Sequence, residues 1–203
     1  MITCMFKILS ITNRRLCKED FKIRIRKVAL SGVDAVILRE KDLSESEYLM
    51  YATEVLKICE ECGITCILHT FYNVAKELGC RNIHMPLSLL ERMDACDKDF
   101  FDMIGTSVHS VEEVKLADKL GARYVLAGHV FATDCKKGLE PRGLEFLSDV
   151  CDEADMPVFA LGGIGPENAK LIRGTGAYGL AVMSGLMDCD NPTDYVNSLK
   201  AEE

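Results

Sequence analysis

Short runs of Val, Ile and Leu alternate with longer amphipathic stretches along the whole chain. The apolar runs predict eight strands, over residues 6–12, 35–39, 66–69, 82–85, 103–108, 124–130, 158–161 and 179–183. The amphipathic stretches predict helices over 45–62, 111–120, 145–153, 167–173 and 193–200. Gly32, Gly63, Gly79, Gly121 and Gly176 each stand shortly before a predicted strand. A glycine there ends the preceding helix in the left-handed backbone that residues with a β-carbon resist. Pro166, after Gly165, suits the first turn of a helix, where its missing N–H costs nothing.

Strands that follow one another through helices run parallel. Eight of them in 203 residues match the lower end of the usual length of a closed α/β barrel, the (β/α)8 TIM barrel. The expectation is one barrel domain over residues 1–203, with its site at the C-terminal ends of the strands. A doubly wound open sheet is the runner-up. It usually has fewer strands and a phosphate-binding glycine fingerprint after the first one, which this sequence lacks.

Composition narrows the partners. With 48% hydrophobic and 28% charged residues and no low-complexity stretch, the chain reads as an ordered globular protein. A formal net charge of -8 repels nucleic acid and anionic membranes as a whole, so positive charge must act locally. The segment Met1 to Lys7 is too short and polar for a signal peptide, and no apolar run approaches the ~18 residues of a membrane span, so a cytoplasmic location is expected. The ten cysteines, in a chain rich in aliphatic residues, are expected as reduced, mostly buried thiols. Cys59, Cys62 and Cys66 could be drawn as metal ligands, but no fourth ligand follows and Cys66 sits in a strand pattern. No metal site is expected.

The polar residues at strand ends carry the candidate chemistry. His69 ends the third predicted strand, His84 lies in the fourth, His109 follows the fifth and His129 lies near the end of the sixth. Because side chains alternate between the barrel interior and the helix layer, about half of these face away from a pocket, and His84 reads first as a core histidine. At the end of the second strand, alternation puts Arg39 and Lys41 on one side with Glu40 opposite. Two cations there suit an anionic group. Lys136, Lys137 and Arg142 add positive charge in the long connection from Ala132 to Gly143, whose length suits a binding loop. Cys135 within it has no base fixed beside it by sequence. Gly162-Gly163-Ile164-Gly165 and Met183-Ser184-Gly185 end the last two strands, where this fold most often binds phosphate on backbone N–H groups. The residues themselves thus point to a small phosphate ester with a second anionic group.

The run from Gly128 through Leu139, with Arg142-Gly143 after it, closely resembles the thiazole tautomerase branch of the thiamine phosphate synthase superfamily. Ser107-Val108-His109-Ser110, Arg39-Glu40-Lys41, the Gly162-Gly163 pair and Met183-Ser184-Gly185 fall in the same order as in that superfamily. The synthases of the superfamily join a pyrimidine pyrophosphate to a thiazole phosphate with Mg2+. Their pattern has Gln where this chain has Ile37, Asn-Asp where it has His69-Thr70, and a further Asp where it reads Met85-Pro86-Leu87-Ser88. It also has Pro where this chain, like the tautomerases, has His129.

The resemblance implies a cofactor-independent isomerase that aromatises a carboxythiazole phosphate tautomer. His129 would be its acid-base residue, since imidazole both takes and gives a proton near neutral pH. Gly162, Gly163, Met183 and Ser184 are candidates for the phosphate. Arg39 and Lys41 would supply positive field, and Ser107 and Lys136 would line the mouth. The partner expected is a small phosphorylated thiazole, not nucleic acid or a membrane, and association into a homo-oligomer is compatible with the fold. Two alternatives stand beside this one: a Mg2+-dependent thiamine phosphate synthase, and a non-catalytic barrel that senses a thiamine precursor.

Overall fold

The computed structural model describes residues 6–133 and 138–201. Eight parallel strands close into a barrel in chain order, the last pairing with the first. They are β1 Lys7–Ile11, β2 Ala35–Leu38, β3 Thr65–His69, β4 Asn82–Pro86, β5 Met103–Val108, β6 Tyr124–Gly128, β7 Val158–Leu161 and β8 Gly179–Val182. Each expected strand is present, with ends within one or two residues of those predicted; β6 stops at Gly128, so His129 lies just beyond its strand.

The described helices are α1 Phe21–Ala29, α2 Glu45–Glu61, α3 Tyr72–Glu77, α4 Leu87–Arg92, α5 Ala95–Lys98, α6 Val111–Lys119, α7 Gly143–Glu153, α8 Ala169–Arg173, α9 Ser184–Asp188 and α10 Pro192–Lys200. Gly32, Gly63, Gly79, Gly121 and Gly176 all take φ between 67° and 91° where a helix gives way to a strand, as their placement predicts. None of the described helices is long and apolar enough to cross a membrane.

Strand alternation divides the core in two. Val36 and Leu38, Cys66 and Leu68, Val125 and Ala127, and Leu180 and Val182 pack outward against the helices. Leu9, Ile11, Ile37, Ile67, Tyr124, Leu126, Phe159 and Ala181 form a separate cluster inside the barrel. The parity continues past the apolar layer. His69 follows inward Ile67, and His84 lies between outward Ile83 and Met85. One tight approach fixes the interior: a β-carbon at Gly105 would stand 2.0 Å from the Tyr124 ring, so only glycine lets Tyr124 cross the barrel. Gly105→Ala should therefore cost about 1–3 kcal/mol by overpacking. For a chain of this size that is a melting temperature lower by roughly 2–12 °C, read by calorimetry.

Helix α2 braces the strand ends that carry the mouth. It starts at Ser44 with a capping box, Ser44 Oγ accepting from the Glu47 N–H while Glu47 accepts from the Ser44 N–H. One turn in, fully buried Tyr48 donates to the Leu38 carbonyl at 2.6 Å and accepts from the His69 N–H at 2.9 Å. Burial pushes its hydroxyl well above the usual phenol range. Tyr48→Phe leaves a carbonyl and an N–H buried without that partner, so an expected loss of about 1–3 kcal/mol should appear as a lower urea midpoint at unchanged slope.

Cys17, Cys59, Cys62, Cys66, Cys80, Cys96, Cys151 and Cys189 are free thiols. Cys59 and Cys66 hydrogen-bond to each other in the outer layer, which lowers the Cys59 pKa and raises that of buried Cys66. Among the described residues, no group of three or more His, Cys, Asp or Glu could hold a metal ion.

Candidate active site

The C-terminal ends of the strands bring most of the predicted residues to one mouth. Arg39 continues the inward parity of β2, and its guanidinium approaches Met183 Sδ at 3.9 Å, joining two predicted site residues from β2 and β8. Glu40 turns the other way, as alternation requires. It is 2% exposed and accepts from Thr12 Oγ1 at 2.7 Å, from the Arg14 N–H at 3.0 Å and from the Arg14 guanidinium at 3.0 Å. Arg14 also pairs with Asp42, whose hydrogen bond is the main reason the guanidinium pKa rises and the Asp42 carboxyl falls well below the usual carboxylate range. The Glu40 carboxylate is thus spent on β1 and the turn after it. Lys41 is exposed at the rim.

Ser107 faces inward from β5, and its hydroxyl meets His84 Nε2 at 2.9 Å. The other His84 nitrogen meets the Tyr124 hydroxyl at 3.1 Å. With both nitrogens partnered and 1% exposure, His84 is a sealed core histidine, the reading its apolar strand favours. Burial, then Lys41 and Arg39, push its pKa down to about 3. His109 instead sits half-exposed, its ring 3.4 Å from Glu113 one helical turn on.

His129 is held from two sides. The peptide bond that joins it to Gly128 is cis. The following N–H groups of Val130 and Phe131 donate to the carbonyls of Leu161 and Gly162 at 2.9 and 3.0 Å. The carbonyls of His129 and Val130 accept from Arg142 and Gly143 at 3.0 Å each, so the start of α7 clamps the segment. The glycines after β7 make this possible. Gly162 and Gly163 have φ of 99° and 66°, and β-carbons on them would stand 2.4 Å from His129 Cβ and 2.3 Å from the Ala132 carbonyl oxygen. The pair proposed for phosphate therefore also seats the histidine.

His129 is 5% exposed. Its Nε2 lies 3.3 Å from the Leu139 carbonyl oxygen, an atom that only accepts, so Nε2 carries the proton there. In the neutral ring Nδ1 is then a bare lone pair. It is buried and has no hydrogen-bond partner among the described residues. Lys136 and Cys135 lie outside the described residues. Ser184 opens α9, a short extra helix directly after β8, which is where this fold builds its common phosphate site, and it is exposed.

A cavity of about 220 Å3 opens between the ends of β2, β3 and β4, lined by Glu40, Lys41, His69, Thr70, Phe71 and Pro86. His129 is not part of its wall. The sequence noted His69 without assigning it to the site, because nothing local announces that Thr70 after it takes φ of 70°, rare for a β-branched residue, and turns back onto the ring.

Magnesium takes about six oxygen ligands at roughly 2.1 Å, usually including carboxylates. At the mouth the only carboxylate among the cavity residues is that of Glu40, already taken by Thr12 and Arg14, and the remainder is a lysine, an imidazole, a hydroxyl and apolar groups. This donor set does not fit the metal.

Residues 8–186 match the family described as thiamine monophosphate synthase. The thiamine-phosphate synthase of Clostridium acetobutylicum is 31% identical over 193 residues, covering 93% of this chain and 90% of that protein. That of Syntrophomonas wolfei is 31% identical over 194 residues, covering 92% and 91%. Among solved structures, thiamine phosphate pyrophosphorylase from Pyrococcus furiosus superposes with a TM-score of 0.82 at 26% identity, covering 97% of this chain and 94% of that one.

Proposed function

Since the chain belongs to the thiamine monophosphate synthase family, an enzyme family of thiamine biosynthesis, we propose that it is the family's isomerase, a thiazole tautomerase acting on a carboxythiazole phosphate. The observation that carries this reading is His129, whose Nε2 is turned to the Leu139 carbonyl while Nδ1 keeps a buried lone pair with no hydrogen-bond partner among the described residues. A buried polar atom left unpaired costs about 1–3 kcal/mol and calls for a reason, and a base held ready for a substrate proton is one.

In the reaction, Nδ1 takes the proton from the ring carbon beside the carboxylate. The electron pair released from that C–H bond moves through the ring to the exocyclic double bond. The imidazolium then returns the proton to the exocyclic carbon, completing the aromatic ring with no net gain or loss of atoms. The Leu139 carbonyl accepts from Nε2–H throughout, which favours the transient imidazolium. Ser184 at the start of α9 and the Gly162-Gly163 turn are assigned to the ester phosphate, Met183 to the wall beside it and Ser107 to the mouth. Lys136 is assigned to the mouth from sequence alone. No metal or organic cofactor has a role in these steps.

A second reading, the Mg2+-dependent coupling that makes thiamine phosphate, is favoured by the names of the relatives. The donor set at the mouth speaks against it. Supplying both reactions decides between them. With the tautomer and excess chelator the protein should yield the aromatic carboxythiazole phosphate. With hydroxymethylpyrimidine pyrophosphate, thiazole phosphate and Mg2+ it should yield no thiamine phosphate. The reverse pair of results overturns the isomerase in favour of the synthase.

A further inference from the structure

Tyr124 on β6, His84 on β4 and Ser107 on β5 form a hydrogen-bonded line that ends at the mouth, and the proton shift at His129 does not explain it. Tyr124 and His84 are buried, while Ser107 is half-buried on the inner side of its strand. His84 Nδ1 lies 3.1 Å from the Tyr124 hydroxyl, and its Nε2 lies 2.9 Å from the Ser107 hydroxyl. The ring is held between its neighbours, stacked on His69 with centroids 5.5 Å apart and tilted against Tyr124 at 5.6 Å. Gly105 makes room for the line, since a β-carbon there would displace the Tyr124 ring.

The protons on this line have two possible arrangements. Burial keeps His84 neutral at pH 7, and a neutral imidazole carries one N–H and one lone pair. In the first arrangement Tyr124 donates to Nδ1, Nε2–H donates to Ser107, and the serine proton is left to face the mouth. In the second, Ser107 donates to Nε2 and Nδ1–H donates to Tyr124. The Tyr124 hydroxyl proton would then be buried without an acceptor, because His84 is the one hydrogen-bond partner of that hydroxyl among the described residues. A stranded buried donor forfeits a full hydrogen bond, whereas an oxygen with a spare lone pair is the milder loss. The first arrangement is therefore the stable one. Ser107 also has His84 as its one hydroxyl partner among the described residues, so its proton is available to a ligand.

We propose that Tyr124 and His84 are positioning residues that fix Ser107 as a hydrogen-bond donor to an anionic oxygen of the ligand. A hydroxyl whose proton faces the mouth selects a ligand atom that carries no proton of its own, and a charged oxygen accepts roughly twice as strongly as a neutral one. Strands β5 and β6 are paired neighbours, so Ser107 and His129 border the same sector of the mouth. The ligand of the proposed reaction carries anionic oxygens on its carboxylate and on its phosphate. That identity rests on the tautomerase reading; the direction of the serine proton does not.

Two measurements test this. Nitrogen NMR of histidine-labelled wild type, with His84→Gln to assign the resonances, should show His84 protonated at Nε2 and bare at Nδ1 at pH 7. The opposite tautomer overturns the proposal whatever the ligand is. Titration calorimetry then reads the donor with three unreactive ligands: the aromatic carboxythiazole phosphate, the same molecule without its carboxylate, and the same molecule without its phosphate. Ser107→Ala should weaken the complete ligand by about 10- to 100-fold, the range for a hydrogen bond to a charged group. Ser107→Thr, which keeps the hydroxyl, should restore most of that affinity. One truncated ligand should share the loss and the other should not, and the anionic group kept by the first is the one that Ser107 holds. His84→Leu should weaken the same ligands, and His84→Gln, whose amide accepts from Tyr124 and donates to Ser107, should recover them. No loss in Ser107→Ala, equal losses on both truncated ligands, or a His84→Leu protein that binds like wild type overturns the contact, as does wild type binding none of the three. Turnover of the tautomer, followed in parallel, separates this result from the parent reading. The Nε2–H tautomer with a selective loss but no turnover keeps the serine donor and removes the tautomerase. Turnover with binding indifferent to Ser107→Ala does the opposite.

Discussion

His129→Asn is expected to lower kcat for aromatisation by about 100- to 10,000-fold, the usual contribution of a positioned general acid-base group, while KM changes little. Asparagine is too short to keep the bond that Nε2 makes to the Leu139 carbonyl, but the backbone bonds from Arg142 and Gly143 to the His129 and Val130 carbonyls remain, so the connection into α7 should keep its place. What it removes is the ring nitrogen assigned to take and return the proton. Steady-state rates with an unchanged far-ultraviolet spectrum and melting temperature would assign the loss to chemistry. A variant that retains most of its kcat would show that the proton travels through another group. A variant that loses affinity and rate together would make His129 a binding residue.

The second large effect is acid destabilisation from the barrel interior. His84 is held at a pKa of about 3 by burial and by the nearby charges of Lys41 and Arg39, and His69 is displaced in the same direction. In the unfolded chain both titrate near the ordinary value of about 6.5. Between those limits the unfolded state binds more protons than the folded one. The contribution is therefore fully present above about pH 6.5 and is lost as pH falls toward 3. At about 1.4 kcal/mol per pH unit for each histidine, the loss from His84 alone reaches a few kcal/mol by pH 4. Urea unfolding from pH 8 to pH 4 should show it. His84→Gln, able to keep bonds to Ser107 and Tyr124 but unable to titrate, should flatten the slope; an unchanged slope would mean that other groups drive the acid transition.

Much of this architecture is legible in the sequence because short aliphatic runs, five of the eight preceded by a helix-ending glycine, leave few other ways to bury themselves. Helix α1 is harder to read. Phe21, Ile23 and Ile25 alternate with Lys22, Arg24 and Arg26, a period that suits a strand as well as a helix. The helix is decided by Asp20, whose carboxylate caps the N–H groups of Lys22 and Ile23. Helices α3, α4, α5 and α9 have four to six residues each, too few to display a face.

At the site, alternation correctly separates Arg39 from Glu40, and the glycines after β7 stand out. Their second task, making room for the His129 backbone, depends on two strands meeting and has no local signal. The same holds for the chain from Ser107 through His84 to Tyr124, which spans three strands. Its one trace in the sequence is Gly105 inside an otherwise ordinary strand, which gains meaning only once Tyr124 is known to lie against it.

The most direct measurement is the rate of aromatisation of the carboxythiazole phosphate tautomer, followed by ultraviolet absorbance in excess chelator as protein concentration is raised. A rate that climbs in proportion to wild-type protein, with no added metal, is the predicted result. A rate that stays at the buffer value at every protein concentration would contradict the assignment of this family member as a thiazole tautomerase.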